Sequence, residues 1–280
     1  MLRDQVRAHG LLVAAHRGTC GGHIIENTTT GFECALRHRA DIIELDVVRS
    51  MDGGLFIFHD GNEKRLLGAD RNIKTMTSEQ ILSYTYKNQT GEATNLRVNT
   101  LDEALAYLKG RCLINVDRSW KIWDSVLPCI ERHGMIEQCI VKSDPQPEYL
   151  EFLERYEAPI LYMSKAFKAQ DVEAVLARDI NTVAFEMIFF DEESDLLDPA
   201  AQREWHEKGV LLWCNALRLK EDWNRSAWHD DNGAILGNPD DHWGWLAGHG
   251  FDIIQTDWPL LLHEYLVARG LRFEGCKACE

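Results

Sequence analysis

The sequence is short of positive charge. Thirty Lys and Arg stand against 45 Asp and Glu in 280 residues, a net charge of −15 at neutral pH. Nucleic-acid backbones and anionic lipid surfaces are gripped by basic stripes, so this deficit excludes a nucleic-acid binder and a polybasic membrane dock. Long apolar runs are absent as well. Nothing approaches the roughly 20 residues of a membrane span. The stretch 11–15, behind a polar start at residues 1–10, is too short for a signal-peptide core. A cytoplasmic location is the expectation. No Pro/Gly/Ser-rich linker, internal repeat or low-complexity tract divides the chain, so residues 1–280 read as one domain. Paired cysteines are lacking too: eight are scattered, mostly in apolar surroundings, as reduced buried residues are. Cys276-x-x-Cys279 alone has metal or redox spacing. It has no second pair and no strand-helix context, and reads as part of a tail.

What is present is a soluble, globular composition, 45% hydrophobic and 27% charged. Short β-branched runs recur at 11–15, 42–48, 112–116, 139–141, 160–163, 182–187, 210–214 and 253–256. Helix-like segments at 29–39, 101–109, 120–133, 147–156, 169–178, 199–208 and 259–269 lie between them. Thr77-x-x-Gln80 and Thr100-x-x-Glu103 have capping-box spacing. Strands alternating with helices imply parallel pairing through right-handed crossovers. Eight such units suit a closed α/β barrel, the TIM (β/α)8 fold, with a doubly wound open sheet as the alternative. The barrel is expected at about 11–270, with 271–280 a flexible tail. A small insertion with a hairpin-like piece at 54–59 follows strand two. A long loop rich in Asp, Asn, Gly and Trp, residues 215–251, follows strand seven. Loops of that length in a compact domain are usually functional.

Polar groups concentrate where the apolar runs end: His16 and Arg17, Glu44 and Asp46, His59, and Asp117. In a βα barrel those strand ends share the face that holds the active site. Glu44 and Asp46, two apart on a strand, point the same way. Like charges beside a core call for a compensating cation, and oxygen ligands suit Mg²⁺ or Ca²⁺ rather than zinc, with Asp117 as a third carboxylate. The alternative is that these acids face solvent or pair with Arg17 or Arg49. Two histidines allow one to remove a proton while the other donates one. Arg17 suits a bidentate phosphate contact or, alternatively, a salt bridge at the barrel rim.

The ordered set His16-Arg17-Gly18, Glu26-Asn27-Thr28, Glu44-Leu45-Asp46, Asp52-Gly53 and His59-Asp60 resembles the glycerophosphodiester phosphodiesterase family. The resemblance continues through Thr100–Leu105, Asn115-Val116-Asp117, Trp213-x-Asn215 and Gly250–Asp257. It implies a TIM barrel and metal-dependent hydrolysis of a small-molecule phosphodiester to a phosphomonoester and an alcohol, through a cyclic phosphate. It implies His16 and His59 as the acid/base pair, Arg17 as the phosphate contact, and Glu44, Asp46 and Asp117 as ligands of one divalent cation, Mg²⁺ or Ca²⁺, with Mn²⁺ an option. His16 is assigned here as base and His59 as acid, an order the sequence does not fix. Asn215 and Trp213 stand as substrate contacts.

One departure is plain: Ser119 stands where the family carries a phosphate-contacting lysine, and Arg118 or Lys121 is the candidate replacement. That gap, with Trp213, Trp223, Trp228, Trp243 and Trp245 as stacking surfaces, makes a sugar phosphodiester of the opine type, such as agrocinopine, the alternative substrate. A lysophospholipase D-like enzyme, a non-catalytic phosphodiester-binding barrel and an unrelated metal-dependent lyase barrel are the other readings. The sequence does not indicate an oligomeric state.

Overall fold

The computed structural model describes residues 2–218 and 224–273. Eight strands close a parallel barrel: β1 (Leu12–Ala15), β2 (Ile42–Arg49), β6 (Leu113–Asp117), β7 (Cys139–Ser143), β8 (Leu161–Ala166), β9 (Thr182–Met187), β10 (Leu211–Asn215) and β11 (Ile253–Thr256). They pair in chain order, and β1 bonds both β2 and β11, so there is no open edge. The closed barrel is the expected fold, and the open-sheet alternative is excluded. Helices at Thr29–Arg37, Leu101–Leu108, Trp123–Arg132, Pro147–Arg155, Ala169–Leu176, Pro199–Glu207 and Pro259–Ala268 follow the strands. Both capping boxes form, at Thr77 and Thr100.

The period of two along each strand sorts side chains between two cores. Val13, Ile43, Leu45, Ile114 and Val116 point outward and pack beneath the helices. Leu12, Ile42, Leu113, Ile140, Met163, Ala184, Leu211 and Ile253 fill the lower lumen. Two residues further along six of these eight rows the chemistry changes: Glu44, Asn115, Lys142, Lys165, Glu186 and Gln255 follow, mostly buried, while β1 and β10 stay apolar at Ala14 and Trp213. The lumen is therefore apolar below and ionic above.

The insertion is built as expected and then elaborated. Strand β3 (Leu55–Ile57) runs antiparallel to the end of β2, and a further hairpin joins β4 (Thr85–Lys87) to β5 (Ala93–Arg97). A satellite core containing Phe56, Phe58, Ile73, Ile81 and Tyr86 lies beneath it.

Four expectations are corrected. Residues 2–9, read as a polar lead, form the helix Leu2–His9, whose Leu2 plugs the lower barrel. The helix expected from 120 starts at Trp123, after a 3-10 turn at Trp120–Ile122. The long loop after β10 contains two short helices, Asp231–Leu236 and Trp243–Gly248. The tail does not begin at 271. Arg272 is buried and forms an ion pair with Asp41 at 2.6 Å, and it also donates to the Leu11 carbonyl. Cys276 and Cys279 lie outside the described residues. The other six cysteines are free thiols.

Candidate active site

A cavity of about 550 Å³ opens at the carboxyl ends of the strands. His16, Arg17, Glu44, Asp46, His59 and Asp117 all line it. The segment 16–18 leaves β1 in a sharp turn, with Arg17 at φ 56°. Gly18 lies so close to the helix Thr29–Arg37 that a Cβ would meet the Gly31 backbone at 2.9 Å. Asn27 and Arg118, at φ 53° each, also hold left-handed backbone beside the cavity. Strained residues gather where geometry is fixed for function.

Each carboxylate is pinned by a neighbouring N–H. Glu44 accepts from the Arg17 backbone at 2.8 Å. Asp46 accepts from Asn27 Nδ2 at 2.9 Å and pairs with Arg17 Nε at 3.1 Å. Asp117 takes the Lys142 ammonium at 2.7 Å. One oxygen from each of Glu44, Asp46 and Asp117 lies within 4.8 Å of the others. Burial, then the Asp46 charge, pushes the Glu44 carboxyl up to about 8. A convergent set of hard oxygen donors with an excess of negative charge fits a divalent cation. Asp117 goes the other way: burial works against its charge, but Lys142 outweighs it and lowers its pKa.

The two imidazoles sit in opposite environments. His16 Nδ1 bonds the Asp257 carboxylate at 2.8 Å, and its backbone N–H donates to Thr256 on β11. Burial opposes its charge, but the bond to Asp257 prevails and the pKa is raised. His59 Nδ1 donates to the Asp60 carbonyl at 2.8 Å, which leaves Nε2 as the acceptor of the neutral ring. Its pKa is lowered, first by burial, with Arg17 and Arg118 also acting against the charged form. Cys20 also lines the cavity, but burial pushes its thiol up to about 12, so it offers no thiolate at neutral pH.

Three expected contacts are not in the cavity wall. Lys121 lines a separate surface groove. Trp213 is buried in the lower lumen, beneath the site. Asn215 is buried too and donates to Glu186 at 2.7 Å. The sugar-stacking surface is likewise reduced. Trp243 belongs to the core, and Trp245 stacks between His229 and His249. Trp223 lies outside the described residues. Trp228 remains exposed, beneath the Arg218 guanidinium.

Sequence reasoning missed the lysines. Lys142 and Lys165 follow Ile140 and Met163 by two, so the alternation of β7 and β8 carries them into the lumen. They stand in the cavity that Ser119 leaves without a lysine. Arg118, the other suggested replacement, does line the cavity, held by Asp60 at 2.7 Å.

A parallel eight-stranded barrel with paired histidines and converging carboxylates at its strand ends has the architecture of a (β/α)8 enzyme site. The comparisons with known proteins narrow this class. Residues 16–133 match the glycerophosphoryl diester phosphodiesterase family model, and residues 158–266 match the model of a domain of unknown function. A glycerophosphodiester phosphodiesterase of Bacillus altitudinis is 34% identical over 111 residues, covering 38% of this chain and 44% of that protein. One from Caldanaerobacter subterraneus is 33% identical over 140 residues, covering 47% and 57%. The chain thus spans about half the length of the curated relatives it matches. The crystal structure of a glycerophosphoryl diester phosphodiesterase from Parabacteroides distasonis superposes with a TM-score of 0.76 at 17% identity, covering 97% of this chain and 90% of that one. Over residues 16–133 the chain is thus similar to the glycerophosphodiester phosphodiesterase family.

Proposed function

We propose that the protein is a metal-dependent phosphodiesterase that cleaves a glycerophosphodiester-like substrate to a phosphomonoester and an alcohol. The observation that carries this is the opposed pair of imidazoles, His16 on a carboxylate and His59 on a carbonyl, facing one cavity with three converging carboxylates. The names of the matched relatives point to the same activity.

Glu44, Asp46 and Asp117 would hold one Mg²⁺, Ca²⁺ or Mn²⁺, which when bound supplies charge neutralisation to the phosphate. Arg17 adds a second positive group. His59 Nε2 accepts the proton of the substrate hydroxyl next to the diester, and that oxygen attacks phosphorus. The bond from phosphorus to the alcohol breaks as His16 Nε2–H delivers its proton to the leaving oxygen. A cyclic phosphate results, and water opens it with the two roles reversed. Attack from within the substrate needs no protein nucleophile, and it is fast because the reacting atoms are already joined. This order reverses the assignment made from sequence. It is supported by the partners of the two rings, since a raised pKa suits an acid and a lowered one a base.

Phosphorus NMR of the protein with a panel of glycerophosphodiesters tests the reading. Cleavage is expected with added Mg²⁺, Ca²⁺ or Mn²⁺ and should be lost on chelation. Undiminished cleavage in excess EDTA by protein free of metal would overturn the metal requirement. No cleavage of any diester with any of the three metals would overturn the activity.

A further inference from the structure

The charged wall of the cavity is divided. Its acids, Glu26, Glu44, Asp46, Asp117 and Asp257, all come from β1, β2, β6, β11 and the loops that follow them. Among the described residues, the opposite arc, from β8 round to the loop after β10, presents Lys165, Arg218 and Arg225 and no acid. Their counter-charges are not among the residues that line the cavity. Asp144 holds Lys165 at 3.0 Å, Asp230 holds Arg218 at 2.8 Å, and Glu186 is 3.5 Å from Arg225. A lysine and an arginine have three and five N–H donors, so one carboxylate each leaves Lys165 and Arg218 donors for a ligand. Both are also steadied by aromatic faces. Lys165 Nζ sits 4.9 Å from the Trp120 ring centre and Arg218 lies 4.7 Å from that of Trp228.

All three cations fall within residues 158–266, beyond the stretch that matches the phosphodiesterase family model. The arc also adjoins the acid of the proposed mechanism. β10 pairs with β11, and β11 pairs with β1, which His16 directly follows. An alcohol protonated by His16 has this arc as its neighbour.

We infer that the alcohol released from the diester carries its own anionic group, a carboxylate or a second phosphate, and that Lys165, Arg218 and Arg225 receive it. The inference rests on the phosphodiesterase reading. A quaternary ammonium alcohol such as choline would meet like charges there, which disfavours it.

The test is kcat/KM for glycerol phosphodiesters of glycerol, choline, glycerate and glycerol phosphate, which are neutral, cationic, carboxylate-bearing and phosphate-bearing. At least one anionic member should exceed the glycerol diester by on the order of tenfold, the scale of about one well-placed charge contact. The carboxylate and phosphate arms identify which anion is meant. Lys165→Gln and Arg218→Gln should each cut that ratio several-fold, and Lys165→Arg should keep most of it. Equal or better use of the neutral or choline diester by the unaltered protein overturns the inference while leaving the phosphodiesterase reading intact. So does a ratio indifferent to both Gln variants. Calorimetric binding of the same diesters lacking the attacking hydroxyl separates the two failures. Tighter binding of anionic members without cleavage of any intact diester upholds the charge preference and removes the catalytic reading.

Discussion

His16 and His59 differ in what holds their second nitrogen, and that difference yields a prediction at the residue scale. With His59 as base and His16 as acid, kcat/KM should rise with pH as the lowered His59 pKa is passed, then fall as the raised His16 pKa is passed, leaving a plateau around neutrality. Either alanine variant should lose on the order of 10²-fold or more with an alkyl alcohol as leaving group. A p-nitrophenolate needs no proton to depart. The His16→Ala loss should therefore shrink strongly on a p-nitrophenyl diester that keeps the neighbouring hydroxyl, while the His59→Ala loss persists. The reverse rescue pattern would exchange the roles. Of the six predicted lining residues, His16, Arg17, His59 and Asp117 were legible because each closes or follows an apolar run, and Glu44 and Asp46 because they interrupt one together. Lys142 and Lys165 were hidden because a lysine inside a strand reads as solvent-facing until the barrel closes. Lys121 was misplaced because the left-handed turn at Arg118 and the 3-10 turn after it rotate it out of the cavity.

At the scale of elements, all eight strands were visible in β-branched runs, and the two capping boxes marked true helix starts. The helices within 215–251 were not visible, because at six residues each they are too short to show a period. Their tie to the site is a side chain. Asp231, at the start of the first of them, accepts from Thr256 Oγ1 at 2.8 Å, Asp257 N at 2.9 Å and Trp243 Nε1 at 2.9 Å. It clamps the loop to the end of β11, where Asp257 orients His16. Asp231→Ala should destabilise the fold by about 1–3 kcal/mol, the cost of leaving buried donors unpaired, as read by urea unfolding. It should also lower the upper limb of the rate profile, because His16 is less firmly held. An unmoved upper limb would make the clamp purely structural.

For the molecule as a whole, a net charge of −15 surrounds a cavity that gathers, among the described residues, six cationic side chains beside its acids. The surplus of negative charge therefore sits elsewhere on the protein, and the field within the pocket departs from the average. A different cation braces the seam of the barrel. The Arg272 guanidinium makes a two-pronged contact with Asp41, at 2.6 and 2.8 Å, while Asp41 also accepts from Val13 N, so one buried pair ties residue 272 to β1 and to the start of β2. Arg272→Ala should cost about 3–5 kcal/mol, because it strands a buried carboxylate, and differential scanning calorimetry should show a clear fall in Tm. A change of a degree or less would mean the pair contributes little to closure.

The seam between β1 and β11 also governs how the protein is made. Leu12 pairs with Ile253 and Ala15 with Thr256, contacts some 241 residues apart in the chain. A ribosome that has finished β1 must synthesise almost the whole barrel before the strand that covers its other side exists. Throughout that interval β1 offers an apolar edge to any passing strand. A chain stalled before residue 253 would carry that edge indefinitely. The contact that abolishes edges in the finished barrel thus makes the growing chain dependent on protection until its last strand arrives.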